Sequence, residues 1–136
     1  METIRKNLLR IHGVLLILIG ISAAINTTVG VHFNRGLYHF LYTNKLAFIG
    51  LFQAYLLVVL IGIVLWLGSQ KKNRKKWNRI GCLFHFFILI LYVQYWDFFI
   101  SLYEEENTTL INFTFHLTFF SLELWAGFAK SKKIHT

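Results

Sequence analysis

Four long apolar runs, separated by shorter polar stretches, dominate the hydrophobic pattern of this 136-residue chain. They cover about Asn7–Val29, Leu46–Leu67, Ile80–Leu102 and Leu110–Ala129. Each has roughly 20 or more residues, the length that an α-helix needs to cross a hydrocarbon layer about 30 Å thick. The pattern therefore predicts an all-α fold, with one integral membrane domain over residues 1–136 and four transmembrane helices in a bundle.

Composition supports a membrane protein and argues against several other classes. The chain is 56% hydrophobic with a mean hydropathy of +0.54, and a soluble domain of this length buries only part of so much apolar surface. Cys82 is the single cysteine, which excludes an intrachain disulfide. The net charge is +8, but the cations cluster at the ends of the apolar runs, so we expect no nucleic-acid partner.

The distribution of Lys and Arg predicts the orientation of the chain. Twelve of the 14 lie in three segments: the N-terminus with Arg5, Lys6 and Arg10, the connection between the second and third runs, and the C-terminus after the fourth run. An excess of Lys and Arg marks cytoplasmic segments, so we expect both termini in the cytoplasm, in an inner or plasma membrane. The basic stretch Lys71–Arg79 is interpreted as a short loop that contacts the anionic headgroups of the bilayer, with docking to an acidic partner as the alternative. Its six cations are Lys71, Lys72, Arg74, Lys75, Lys76 and Arg79.

The connection Val31–Lys45 is longer than a hairpin between two helices requires. Asn34 is a suitable helix cap, and Leu37, Phe40 and Leu41 share one side of a short helix after it. We predict a short helix lying in the outer interface, with an irregular ordered loop as the alternative.

Small residues at helical spacing predict close packing of the first two spans. The first run carries Gly13, Gly20 and Ala24, and the second carries Gly50, Ala54 and Gly62. Because apolar side chains gain little by leaving lipid for each other, close backbone approach over small residues is a common way for membrane helices to associate.

Polar residues within the runs are the candidates for function, and they fall at two predicted depths. An inner cluster comprises His12, His85 and Glu123, each roughly five residues inside its cytoplasmic boundary. Within the fourth run, Asn112, His116 and Glu123 form a polar stripe that should point into the bundle. The outer cluster comprises Asn26, Gln53, Gln94, Asp97, Asn112 and His116.

Several chemistries are compatible with these clusters. The side chains can simply satisfy one another, Glu123 with a histidine and Asp97 with His116. They can instead relay protons or bind a polar solute, and His12 with His85 can ligate haem iron, with Arg10 and Arg79 near the propionates. Zinc binding by His12, His85 and Glu123 is a further alternative. No nucleophile lies in a recognisable setting, so an enzyme is less expected, and the sequence identifies no cofactor and no metal motif.

The leading interpretation is a small non-enzymatic membrane component or accessory subunit. It would act as a homo-oligomer or with a membrane protein partner. In length, number of spans and topology, the chain resembles small four-helix bacterial membrane proteins, including the DoxX-like group. That resemblance implies a four-helix membrane fold and carries no site residue.

Overall fold

The computed structural model describes residues 1–36, 38–103 and 106–130, and within them every regular element is a helix. Five α-helices and one 3-10 helix follow each other along these described residues. The predicted all-α class is therefore confirmed for the described residues. The bounds are α1 Glu2–Phe33, the 3-10 helix His39–Tyr42, α2 Lys45–Gly68, α3 Arg74–Gln94, α4 Trp96–Tyr103 and α5 Glu106–Phe128.

Three of these helices, α1, α2 and α3, are long and apolar enough to cross a membrane. The described part of α5 has 23 residues but is more polar, and it falls outside that set. Three apolar helices of this kind are consistent with a membrane protein.

The predicted third span is wrong as a continuous helix. It was expected to run from Ile80 to Leu102, but α3 ends at Gln94, and α4 begins after Tyr95. Tyr95 has φ −127° and ψ 37°, outside the helical region. The break occurs without proline or glycine, so no local sequence signal marks it. Across it, the rings of Tyr92 and Phe99 stack with centroids 4.2 Å apart.

The connection after α1 also differs from its prediction. Asn34 does not cap a following helix; it has φ 50° and ends α1, its N–H bonding the Gly30 carbonyl at 3.2 Å. Asparagine tolerates this left-handed conformation, which commonly closes a helix. The short helix exists as the 3-10 helix His39–Tyr42, whereas Leu37, expected within it, lies outside the described residues. Asn44 caps α2 instead, its Oδ1 accepting the Ala47 N–H at 3.0 Å.

The basic stretch is only partly a loop. The α2–α3 connection is short, and α3 already begins at Arg74, so Lys75, Lys76 and Arg79 lie on its first turns. Gly68 permits this tight turn because a Cβ there would lie 2.5 Å from the ring of Trp77. Two other basic residues, Lys132 and Lys133, and the acidic Glu104 and Glu105 lie outside the described residues.

The described chain forms two compact units. The first comprises Met1–Arg10 and the chain from Leu67 onward, and the second comprises Ile11–Trp66. In the first unit, α3 and α5 are antiparallel, since the start of α3 meets the end of α5 and later residues of α3 meet earlier residues of α5. The contacts that establish this order are Arg79 with Gly127, Gly81 with Glu123, His85 with His116, and Tyr92 with Phe113.

Close packing at small residues is confirmed within the second unit. A Cβ on Gly13 would lie 2.6 Å from the carbonyl oxygen of Gly62, and one on Gly20 would lie 2.9 Å from the carbonyl oxygen of Tyr55. Gly50 differs from them, because nothing lies within 4 Å of a Cβ placed there. The two glycines of α2 therefore have different roles, although the sequence presents them alike.

This difference gives a matched test. We expect Gly62→Ala to lower the thermal unfolding temperature in detergent, because its new methyl group meets the backbone of Gly13 at 2.7 Å. Overpacking of this kind costs about 1–3 kcal/mol. Gly50→Ala introduces the same methyl group into open space, and we expect it to keep or raise the unfolding temperature. Equal effects of the two variants, measured by circular dichroism, would contradict the packing described for α1 and α2.

Candidate functional site

The face between α3 and α5 brings two histidines together. His85 is fully buried on α3, and its Nδ1 lies 2.7 Å from the Nδ1 of His116 on α5. One nitrogen must donate and the other must accept, so two neutral imidazoles here have different tautomers. The sequence predicted these histidines at separate depths, His85 in the inner cluster and His116 in the outer one. The antiparallel register of α3 and α5 joins them.

Aromatic rings enclose this histidine pair. The imidazole of His85 stacks on Phe119, with ring centroids 5.7 Å apart and planes inclined by 22°. The rings of Phe84 and Phe115 contact His85 edge-on. The ring centroids of Tyr92 and His116 are 5.9 Å apart. An apolar aromatic wall lowers the local dielectric, which strengthens the hydrogen bond between the imidazoles.

Glu123 lies further along the same face. Its side chain is fully buried, and a Cβ placed on Gly81 would lie 3.0 Å from its Oε1. Gly81 precedes His85 by four residues, so both occupy one side of α3. Glycine at this position lets the carboxyl group of α5 approach the α3 backbone. The predicted inward polar stripe of α5 is therefore observed for His116 and Glu123.

Two arginines bind the carbonyl groups at the end of α5. Arg5 is fully buried; its Nε donates to the carbonyl of Ala126 at 2.7 Å, and its Nη2 donates to that of Ala129 at 2.6 Å. The Nε of Arg79 donates to the carbonyl of Gly127 at 3.1 Å. Helix ends leave carbonyls without intrahelical partners and carry partial negative charge, which these cations satisfy.

Sequence reasoning missed this arginine cap. It treated Arg5 as a topology signal and Arg79 as a headgroup contact. One signal was present: the last turn of α5 contains no basic residue, so its carbonyls must find donors elsewhere. Arg5 also forms an ion pair with Glu2, whose side chain is half exposed, and Arg79 lies 4.4 Å from the ring centroid of Phe128.

In the rest of the basic stretch, one residue bonds protein groups and others are exposed. Arg74 donates from its Nε to the carbonyl of Ser69 at 2.8 Å and reaches Glu2 at 3.5 Å. Lys71, Lys72 and Lys76 are exposed. Headgroup contact therefore stays a prediction for the lysines, whereas Arg74 and Arg79 have protein partners.

The other predicted site residues are His12 and the remaining members of the outer cluster. His12 is fully buried, but it belongs to the second unit, whereas His85 and Glu123 belong to the first. Of the outer cluster, Asn112 is half-buried. Four of its residues are exposed rather than buried: Asn26, Gln53, Gln94 and Asp97.

Local backbone structure explains three of these exposures. Gln94 is the last residue of α3 and Asp97 lies in the first turn of α4, so the break at Tyr95 separates residues that a continuous helix would place on one face. Asn26 bonds its own helix, its Nδ2 donating to the Ser22 carbonyl at 2.9 Å.

Among the described residues, no group of three or more His, Cys, Asp and Glu side chains is arranged to hold a metal ion. The arrangement of the α3–α5 face can pass a proton between two imidazoles and can fix the register of two helices. Comparison with protein-family models, curated proteins and solved structures found no match for this chain.

The arginine cap yields a sharp stability prediction. We expect Arg5→Lys to lower the free energy of unfolding, because one ammonium group cannot reproduce the guanidinium's bonds to two carbonyls. A buried carbonyl without its donor costs about 1–3 kcal/mol.

The matched control is Arg10→Lys, at an exposed position of the same helix, which we expect to be neutral. Both variants keep the net charge, so thermal unfolding in one detergent compares them directly. Equal unfolding temperatures would show that Arg5 does not stabilise the end of α5.

Proposed function

We propose that this chain is a small, non-enzymatic integral membrane component, with four spans and both termini on the cytoplasmic side of an inner or plasma membrane. Three apolar helices support the membrane assignment. For the fourth span, the supporting observation is that α5 runs antiparallel along α3. We infer that α5 crosses with α3, because its ionisable residues His116 and Glu123 face that partner rather than lipid.

The arginine cap supports the proposed topology. Arg5 near the start of α1 and Arg79 near the start of α3 both bind the end of α5. Within the first unit, these three chain segments therefore lie together, at the end where the cations concentrate. Because cytoplasmic segments of membrane proteins are rich in Lys and Arg, we propose that this end lies in the cytoplasm.

The non-enzymatic assignment rests on how the polar side chains of the α3–α5 face are used. His85 and His116 bond each other, and Arg5 and Arg79 bond backbone carbonyls. Interhelical polar contacts of this kind stabilise and align membrane helices. The single observation that carries the proposal is the His85–His116 hydrogen bond, because it gives each of two ionisable groups a partner on the neighbouring helix.

The surface of α2 supports a role alongside lipid or other proteins. Only 11% of its most apolar segment is buried, and Leu46, Leu57 and Leu60 are among its exposed side chains. We propose that this surface faces acyl chains, a second copy or a membrane protein partner, and that Lys71, Lys72 and Lys76 contact anionic headgroups.

A proton relay is the second candidate, and the same histidine pair favours it. An imidazole can accept a proton on one nitrogen and release one from the other, so two bonded imidazoles form the shortest possible chain for transfer. Glu123 on the same face is a further exchangeable group. Relay and structural pairing differ in whether protons cross the membrane.

Proteoliposomes containing a pH-sensitive dye separate these candidates. Our proposal predicts that the wild-type chain, retained in carbonate-washed vesicles, gives the same proton flux as protein-free liposomes. We expect His116→Phe to leave that flux unchanged and to lower the unfolding temperature, because it removes the partner of a buried imidazole.

The control is His39→Phe, at an exposed histidine, which we expect to change neither reading. A wild-type flux that His116→Phe abolishes and His39→Phe preserves would overturn the structural assignment and establish the relay.

A further inference from the structure

An open cleft in the second unit lies where α1 ends and α2 begins. Its volume is about 680 Å³, within the range of roughly 300–1,000 Å³ typical of small-molecule sites. We call it the α1–α2 end cleft. Its lining residues are Val31, His32, Tyr42, Lys45, Phe48 and Ile49.

The cleft combines hydrogen-bond donors with an apolar wall. Lys45 supplies an ammonium group, Tyr42 a hydroxyl and His32 an imidazole. The ring of Phe48 lies edge-on to that of His32 at 6.4 Å, so α1 and α2 form one continuous surface there. Apolar side chains extend this surface outward, since Leu46 is 80% exposed and Ile49 is 51% exposed.

The charge of the second unit favours an anion in this cleft. The sequence from Ile11 to Trp66 contains no Asp or Glu, so Lys45 has no carboxylate within its unit. Lys45 also begins α2, whose first turn contains no acidic residue, and the positive end of the helix dipole disfavours a cation there. An anion bound beside Lys45 would pair with its ammonium group and would also interact favourably with the positive end of the α2 dipole.

Position along the helices favours a lipid over a water-soluble anion. Val31 and His32 follow directly after the apolar run of α1, and Lys45 directly precedes that of α2. In a membrane, such positions lie at the boundary between headgroups and acyl chains. A phospholipid fits this boundary, because its anionic head can lie next to Lys45 while its hydrocarbon tail lies along Phe48 and Ile49.

We propose that the α1–α2 end cleft binds one phospholipid with an anionic headgroup, which contacts Lys45, Tyr42 and His32 while its acyl chain lies along Phe48 and Ile49. This inference rests on the proposed membrane location. It is a defined site, separate in sequence from the lysines between α2 and α3.

Native mass spectrometry of the full chain, released from detergent micelles, tests the site. The probes are dioleoyl phosphatidylglycerol and dioleoyl phosphatidylcholine, which share acyl chains and differ in headgroup charge. We expect the wild-type chain to retain one phosphatidylglycerol, about three- to fivefold more than phosphatidylcholine, as fits one exposed charge contact.

Three variants at exposed cations test whether the preference for phosphatidylglycerol over phosphatidylcholine depends on Lys45. We expect Lys45→Gln to abolish it and Lys45→Arg to keep it. Lys130→Gln removes one positive charge elsewhere, and we expect it to keep the preference. Equal retention of both lipids by the wild-type chain, or equal losses in Lys45→Gln and Lys130→Gln, would overturn the proposal.

A competition arm identifies the source of the anion. Glycerol 3-phosphate carries the head without the tail, and we expect it to displace little lipid. Complete displacement at matched concentration would assign the cleft to a free phosphate compound and overturn the lipid proposal. Recovery of the chain from carbonate-washed membranes is measured first. Loss of the chain in the wash would contradict the membrane assignment, whereas a retained chain that binds both lipids equally would contradict only the lipid site.

Discussion

The hydrogen bond between His85 and His116 is the interaction on which the first unit depends. It joins α3 and α5 at one register, inside a wall of aromatic rings. A polar group in an apolar environment must find a partner, and each of these imidazoles supplies the other with one hydrogen bond. With this register set, Gly81 faces Glu123 and Arg79 reaches the end of α5.

The helix ends impose a second constraint. The last carbonyls of α5 have no intrahelical donors, and α5 has no basic residue in its own last turn. Arg5 and Arg79 supply the donors from α1 and α3, which fixes where those helices begin relative to the end of α5. Cations on the first turns of two helices thus hold the end of a third helix within this unit.

Much of the helical plan was predictable from the sequence because hydropathy over about 20 residues is a strong signal. The extent of α2 and the position of α1 followed from it, although α1 is longer than predicted at both ends. The close packing at Gly13, Gly20 and Gly62 was also predictable. The break at Tyr95 was not predictable, since it lacks proline or glycine. The roles of Asn34 and Gly50 depended on backbone conformation and on neighbours that residue type alone does not reveal.

The candidate site was predictable only as a set of residue types. The polar stripe on α5 identified His116 and Glu123, but their partners depend on the register of α5 against α3, which hydropathy does not encode. Sorting by depth therefore separated His85 from His116 and placed Gln94 and Asp97 in a buried cluster, although both are exposed. Arg5 was overlooked because a cation before an apolar run usually signals topology alone.

A double-mutant cycle on His85→Phe and His116→Phe tests the central claim most directly. Unfolding free energies of the wild-type chain, both single variants and the double variant are measured in one detergent. If the imidazoles bond each other, the double variant should be more stable than the sum of the single losses implies, by about 0.6–1.7 kcal/mol. Strictly additive losses would mean that the two histidines act independently, and the account of the α3–α5 face would then be wrong.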